Sequence, residues 1–186
     1  MALTALMVLI VIGVIVLWVI VKYNGLVTLR NQVTNGWKQI DVQLKRRHDL
    51  IPNVVETVKG YAKHERELLE NVTRARSSAQ MASGRTEQIQ TESALSAALG
   101  RLIAVAERYP ELKANQNFLA LQEELSSTEN KISFSRQHYN DTVMGYDSRR
   151  QVFPAVLFAG LFGFGQEPYW KIEDAAQREV PKVSFT

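Results

Sequence analysis

The first 21 residues have no polar face, whereas the stretches that follow alternate apolar and polar positions at helical spacing. Met1 to Val21 carries no charged side chain. About 20 such residues at 1.5 Å rise cover the roughly 30 Å hydrocarbon layer of a bilayer. Trp18 and Tyr23 stand where interfacial aromatics anchor a span, and Lys22 marks the exit. Residues 1–22 are therefore expected to be a retained transmembrane anchor. A cleaved leader would want basic residues ahead of the run, a shorter apolar core and small residues at its end. Leu17-Trp18-Val19-Ile20-Val21 stands there instead. Gly13 has no small partner at the next turn, so the anchor carries no dimerisation motif. Lys22, Arg30, Lys38, Lys45, Arg46 and Arg47 follow the segment and only the terminal amine precedes it. The positive-inside rule then puts the N-terminus outside and the bulk of the chain in the cytoplasm.

The amphipathic part spans residues 23–152. Leu26, Leu29, Val33, Trp37, Ile40 and Leu44 share one helical face, and this first helix is expected to run from the membrane to about His48. Gly25 and Gly36 weaken it by about 1 kcal/mol each relative to alanine, and Asp41 with Lys45 adds an outer pair at i,i+4. Pro52 has no N–H and disfavours helix at Ile51, which predicts a break or kink over residues 49–52. A second helix then opens at Pro52 and Glu56, buries Val55, Val58, Tyr61 or Ala62, Leu69, Val72 and Ala79, and ends at Ser83-Gly84. A third, from about Glu87 to Tyr109, carries Ile89, Leu95, Leu99, Leu102, Ile103 and Ala106. Asn115 caps a fourth, whose seam reads Phe118, Leu121, Leu125, Thr128, Ile132, Ser135, Tyr139, Thr142 and Tyr146. Its small and hydroxyl members invite close approach by a partner. The fold class expected is all-α: the anchor continuing into a long antiparallel four-helix bundle, then a short apolar segment (153–166) and a flexible C-terminal tail (167–186).

Composition adds little. A net charge of +3 and a pI near 9.2 suit a negative membrane surface as well as nucleic acid. Cysteine is absent, which removes disulfide and thiolate chemistry.

The segments YNGLVTLRN, WKQIDVQLKRRHDLIPN, VKGYAKHE, YPELKANQNF, LQEELSSTENKI and RQHYNDTV, with FPAVLF after the fourth helix and PKVSF near the end, resemble the LemA family. The resemblance covers nearly the whole chain. It implies a membrane-anchored helical bundle, found mainly in bacteria, with its N-terminus outside and its body inside, hence at the inner membrane. It implies no defined biochemical role.

Up-down-up-down topology returns the end of the fourth helix to the bilayer. The apolar run over residues 153–164 is too short to span and suits an interfacial piece. Trp18, Tyr23, Arg149, Arg150, Phe153, Leu157, Phe158, Leu161, Phe162 and Phe164 are the candidate membrane or subunit contacts. Arg74, Arg76 and Arg85 are expected at the same head-group height. Lys45, Arg46 and Arg47, with His48, fall roughly 35 to 40 Å below it. They suit an acidic protein partner, a neighbouring subunit or RNA, against the plainer reading of a solvated helix end, where cations are favourable anyway. Val183 and Phe185, in an alternating apolar/polar stretch, are a second candidate contact for a protein partner, against a disordered tail.

Metal chemistry is not expected. Lys45, Tyr61 and Ser135 stand three residues before His48, His64 and His138, so no Glu-x-x-His pair exists, and Leu68 stands where HExxH needs its second histidine. The glycines at 160, 163 and 165 follow a helix and match no phosphate loop. Asn71 and Asn140 start glycosylation patterns inside expected helices. Tyr23, Asn24, Asn31 and Trp37 read as structural. No catalytic, cofactor or metal site is expected. The partners expected are membrane lipid, further copies of the chain and a protein partner, with no nucleic acid. Those features favour a non-enzymatic membrane-anchored scaffold that self-associates; the alternative is an adaptor for a membrane enzyme or signalling protein.

Overall fold

The apolar run and the first amphipathic stretch form one uninterrupted helix, α1 (Ala2–Tyr61, 60 residues). A computed structural model describes residues 1–62 and 64–171. Up to Val21, α1 is covered by almost nothing: Leu9, Val14 and Leu17 are all more than half exposed. That stretch is long and apolar enough to cross a membrane. From Leu26 onward the inner face is buried through Val33, Trp37, Ile40, Leu44, Ile51, Val54 and Val58.

The expected break at residues 49–52 does not occur. Pro52 sits inside α1, and the carbonyl it leaves without an N–H donor is that of His48. Arg76, from the next helix, donates its Nε–H to this oxygen at 2.8 Å, and a tertiary bond thus replaces the missing rung. Arg76→Met should cost about 1.5 kcal/mol, as befits a bond to a charged donor. In a Pro52→Ala background, where the backbone N–H returns, the same change should cost markedly less. Urea denaturation of the four proteins of this cycle measures the coupling.

α1 ends instead at Tyr61, and α2 (Arg66–Met81) runs back along it. Gly84, at φ +88°, lies in the left-handed region that glycine enters freely, and it turns the chain into α3 (Arg85–Ala106). Ser83 donates both its backbone N–H (2.8 Å) and its hydroxyl (3.2 Å) to the Glu87 carboxylate, which fixes this corner. A single turn, α4 (Pro110–Lys113), leads to α5 (Gln116–Gln151). Asn115 caps α5 as expected, its Oδ1 accepting from the Phe118 N–H at 3.0 Å. A last turn, α6 (Val156–Ala159), follows. The fold is all-α, with no strand among the described residues and four long helices in up-down-up-down order.

The helices are unequal in reach. α5 lies antiparallel to α1 over its whole length, from Asn115 Nδ2 donating to Tyr61 Oη at 2.9 Å to Arg149 beside Val21 and Lys22. Midway, a Cβ on Gly36 would lie 3.3 Å from Thr142 Oγ1 and 3.4 Å from Tyr139 Cα, so glycine here permits the close crossing that the hydroxyl-lined seam suggested. The α2–α3 hairpin climbs only to the height of Asp41 and Leu44, where Ala79, Ala82 and Gln88 meet α1. Arg76 and Arg85 consequently do not gather at the head groups. Arg76 holds His48, and Arg85 pairs with Glu167 and lies over the Trp37 ring at 5.4 Å. Trp37 is 15 residues past Lys22, or about 22 Å along α1. Arg74 lines a groove between α1 and α2 with Val55 and Lys59, farther still from the anchor.

Above the hairpin, the chain after α5 completes the bundle. Residues 155–170 fold back against α1 and α5, burying Ala155, Ala159, Phe164 and Trp170 in one core with Leu26, Val33 and Trp37. Residues 168–170, expected within the flexible tail, are instead held against the bundle. Tyr139 Oη donates to the Pro168 carbonyl at 2.7 Å, and the Asn140 amide clasps the Trp170 backbone through two bonds of 2.8 and 3.0 Å. Asn140 is thereby committed to packing. Val183 and Phe185 lie outside the described residues.

Candidate functional site

Two places in the molecule stand out chemically: a charged layer inside the bundle, and an apolar rim where it meets the anchor.

The bundle has two separate hydrophobic cores. The upper one contains Leu44, Ile89 and Ile132; the lower one contains Ile51, Leu95 and Leu125. Between those heights lie Arg47, Glu92 and Thr128, each no more than 1 % exposed, and His48 at 7 %. Arg47 belongs to the α1 seam, three residues from Leu44 and four from Ile51, so the register that buries the leucine also buries the arginine. Its guanidinium forms an ion pair with Glu92 of α3 and reaches Ser96 Oγ and Glu129 Oε2 at 2.7 Å each. His48 Nε2 lies 2.8 Å from the other Glu92 oxygen. Arg136 stands 3.9 Å from Glu129.

Burial pushes the Glu92 carboxyl up, but the His48 hydrogen bond and the Arg47 charge outweigh it, so the group titrates below the usual glutamate range. Burial lowers Arg136 despite Glu129 beside it. One turn up, burial raises Asp41 even though Gln88 donates to its Oδ1 at 2.9 Å. Arg47 Nε and Thr128 Oγ1 have no partner among the described residues. A buried charged layer of this kind is weak evidence for stability; what it does is join α1, α3 and α5 through Arg47, Glu92 and Glu129. No group of three or more metal-ligating side chains is placed to hold an ion among the described residues.

The basic cluster is accordingly divided. Arg47 and His48 are inside, which corrects the expectation that Arg47 offers a partner surface, and α1 does not end at His48. Arg46 pairs with Glu124, and Lys45 is exposed. The cluster hid this because four consecutive polar residues read as a solvated helix end. Glu92, Ser96, Glu129 and Arg136 were not anticipated. The available signal was Glu92 itself, placed three residues after Ile89 and three before Leu95, in the buried face of α3.

The rim is formed by the turn after α5. Phe153 (78 % exposed), Leu157 (66 %) and Leu161 (85 %) point away from the bundle, with Val152, Val156 and Phe162 about half exposed. Phe164 does not join them. It is buried, with Arg30 over its ring at 5.3 Å and Tyr23 edge-on at 5.4 Å. Phe158 is half-buried against Phe162. Trp18 lies under the Lys22 ammonium at 5.6 Å. Arg149 is exposed, and Arg150 turns to Asp147 at 3.4 Å. The structure thus brings Tyr23, Phe162 and Phe164 together and leaves Phe153, Leu157 and Leu161 uncovered.

Two comparisons bear on this architecture. The LemA family model matches residues 36–185, from the middle of α1 through the bundle. Among curated proteins, Protein LemA of Metamycoplasma hominis is 26 % identical over 133 residues, which is 71 % of this chain and 61 % of that protein. Magnetosome protein MamQ 2 of Paramagnetospirillum magneticum is 22 % identical over 187 aligned positions, covering 87 % of this chain and 69 % of its own length. MamQ of Magnetospirillum gryphiswaldense is 20 % identical with the same coverage. The matched part thus spans about three fifths of the Metamycoplasma protein's length.

Proposed function

The chain belongs to the LemA family, and from that premise we propose that it is a non-enzymatic, membrane-anchored helical scaffold whose copies associate at a bacterial inner membrane. The observation that carries this reading is α1 itself. One rod of 60 residues joins an uncovered apolar segment to the spine on which the other helices pack, with no joint between them. At 1.5 Å per residue it holds the far end of the bundle roughly 60 Å from Lys22. Lys22, Arg30 and Lys38 after the span support a cytoplasmic bundle.

The helical seams are consumed within one chain, so association must use what the bundle leaves outside. Val42 (64 % exposed) and Phe134 (73 %) qualify, lying at one height on α1 and α5 between the Gly36–Thr142 crossing and the Arg47–Glu129 pair. Light scattering of the full-length protein in mild detergent should give a discrete multiple of the 21.1 kDa chain mass. Val42→Ser with Phe134→Ser should reduce it, with helical content unchanged. A monomer in both samples would sink the self-association. The adaptor alternative loses ground because Arg47 is buried and Arg46 is paired, which leaves Lys45 of that cluster. Its test is loss of one specific co-purifying protein when Val183 and Phe185 become alanine.

A further inference from the structure

We propose that the turn after α5 is a collar set into the head-group layer of the leaflet from which α1 emerges, with the acyl-chain boundary as its occupant. This rests on the membrane-anchored reading and adds a second, separate contact with the bilayer.

Height is the first argument. A groove of about 430 Å³ is lined on one side by Val21, Lys22 and Gly25 and on the other by Arg149, Val152 and Phe153. Val21 is the last residue of the charge-free run, so Phe153 lies level with the end of the span. At the far end of the turn, the Phe162 ring meets Tyr23 edge-on at 5.2 Å. The segment therefore wraps α1 from the Gly25 side to the Tyr23 side within about one helical turn of the exit.

Sidedness is the second. Ala155, Ala159 and Phe164 face the bundle and are buried, while Phe153, Leu157 and Leu161 face outward. The inward anchors leave the outer residues no freedom to turn in, and a rim of this kind is costly in water. Such a segment is too short to cross and of the right character to lie 5–10 Å deep, the usual depth of an interfacial element. Charge is the third. Lys22 and Arg149 flank the groove where anionic lipid phosphates would sit. Trp18 beneath Lys22 belongs to the same belt.

The chain has no cysteine, so single thiols can be placed at will. Full-length protein carrying Leu9→Cys, Leu157→Cys, Leu161→Cys or Phe134→Cys, each labelled with an environment-sensitive fluorophore, is reconstituted in phosphatidylcholine–phosphatidylglycerol vesicles. Doxyl-labelled lipid and aqueous iodide serve as quenchers, and circular dichroism confirms the fold of each variant. Positions 157 and 161 should lose emission to the lipid quencher and resist iodide, as position 9 does, whereas position 134 resists the lipid quencher. Quenching of 157 and 161 by iodide alone, with 9 still lipid-quenched, would overturn the collar and leave the anchor standing. Failure of lipid quenching at position 9 would overturn the anchored reading itself. Protection of 157 from both quenchers, with cross-linking of Leu157→Cys between copies, would overturn the collar in favour of a second chain.

Discussion

Glu92→Ala should be the most damaging single change in the distal half of the bundle, lowering unfolding stability by about 3–5 kcal/mol. Arg47 has no exposed surface, and its partners are Glu92, Glu129 and Ser96. Removing Glu92 leaves a guanidinium buried with only the half-exposed Glu129 to balance it, and the desolvation that the pair offset becomes uncompensated. Replacing both partners, as in Arg47→Met with Glu92→Leu, should recover most of the loss, because an apolar layer then joins the two cores. Denaturation of the detergent-solubilised protein compares the three. A double variant as unstable as the single one would show that the layer's shape, not its charge, is what the bundle needs.

The same group sets an acid limit. Glu92 titrates below its ordinary value of 4.5 in the folded chain. Its contribution is therefore complete above that ordinary value and lost as pH falls through the lower folded one. The stability gap between the native chain and Glu92→Gln should accordingly be constant at neutral pH and narrow on acidification below the glutamate range.

Periodicity carried the anchor, the inward faces of all four long helices and the Asn115 cap into view from the residues alone. Pro52 misled because local propensity cannot see Arg76, 24 positions along, arriving to take the orphaned carbonyl. The true end of α1 at Tyr61 carries no comparable marker, and the apolar phase continues past it from Val58 and Ala62 to Leu69. The ion layer was hidden for a related reason. Arg47 falls in the α1 seam by spacing, yet its neighbours Lys45 and Arg46 make the whole run look like a surface. Nor does helical spacing say anything about residues 160–170, which have no period. Their place is fixed by single side chains on α5, the Tyr139 and Tyr146 hydroxyls and the Asn140 amide.

Trp170→Ala tests that last point and should cost about 3–5 kcal/mol, the range for emptying a buried aromatic site. Trp170 is 5 % exposed, lies against the Trp37 ring at 5.4 Å and carries the Arg136 guanidinium over its own ring at 4.6 Å. Trp37 in turn packs edge-on against Tyr139 at 5.1 Å. Burial pushes the Tyr139 phenol up to about 12, so it remains a donor to the Pro168 carbonyl across the working pH range. Losing the indole therefore opens a void beside Trp37 and uncovers Arg136. From the α2–α3 hairpin only its tip reaches this height, with Ile89 in the same core and Arg85 over the Trp37 ring, so among the described residues little apolar bulk lies close enough to fill the gap. Asn140→Ala should reproduce part of the loss, because it frees the Trp170 backbone while sparing the ring. Urea denaturation followed by tryptophan fluorescence measures both. A Trp170→Ala protein of native stability would mean that residues 160–170 only rest on the bundle. The expected loss would make them its third wall near the membrane, holding the exposed rim of Phe153, Leu157 and Leu161 at the height of Lys22.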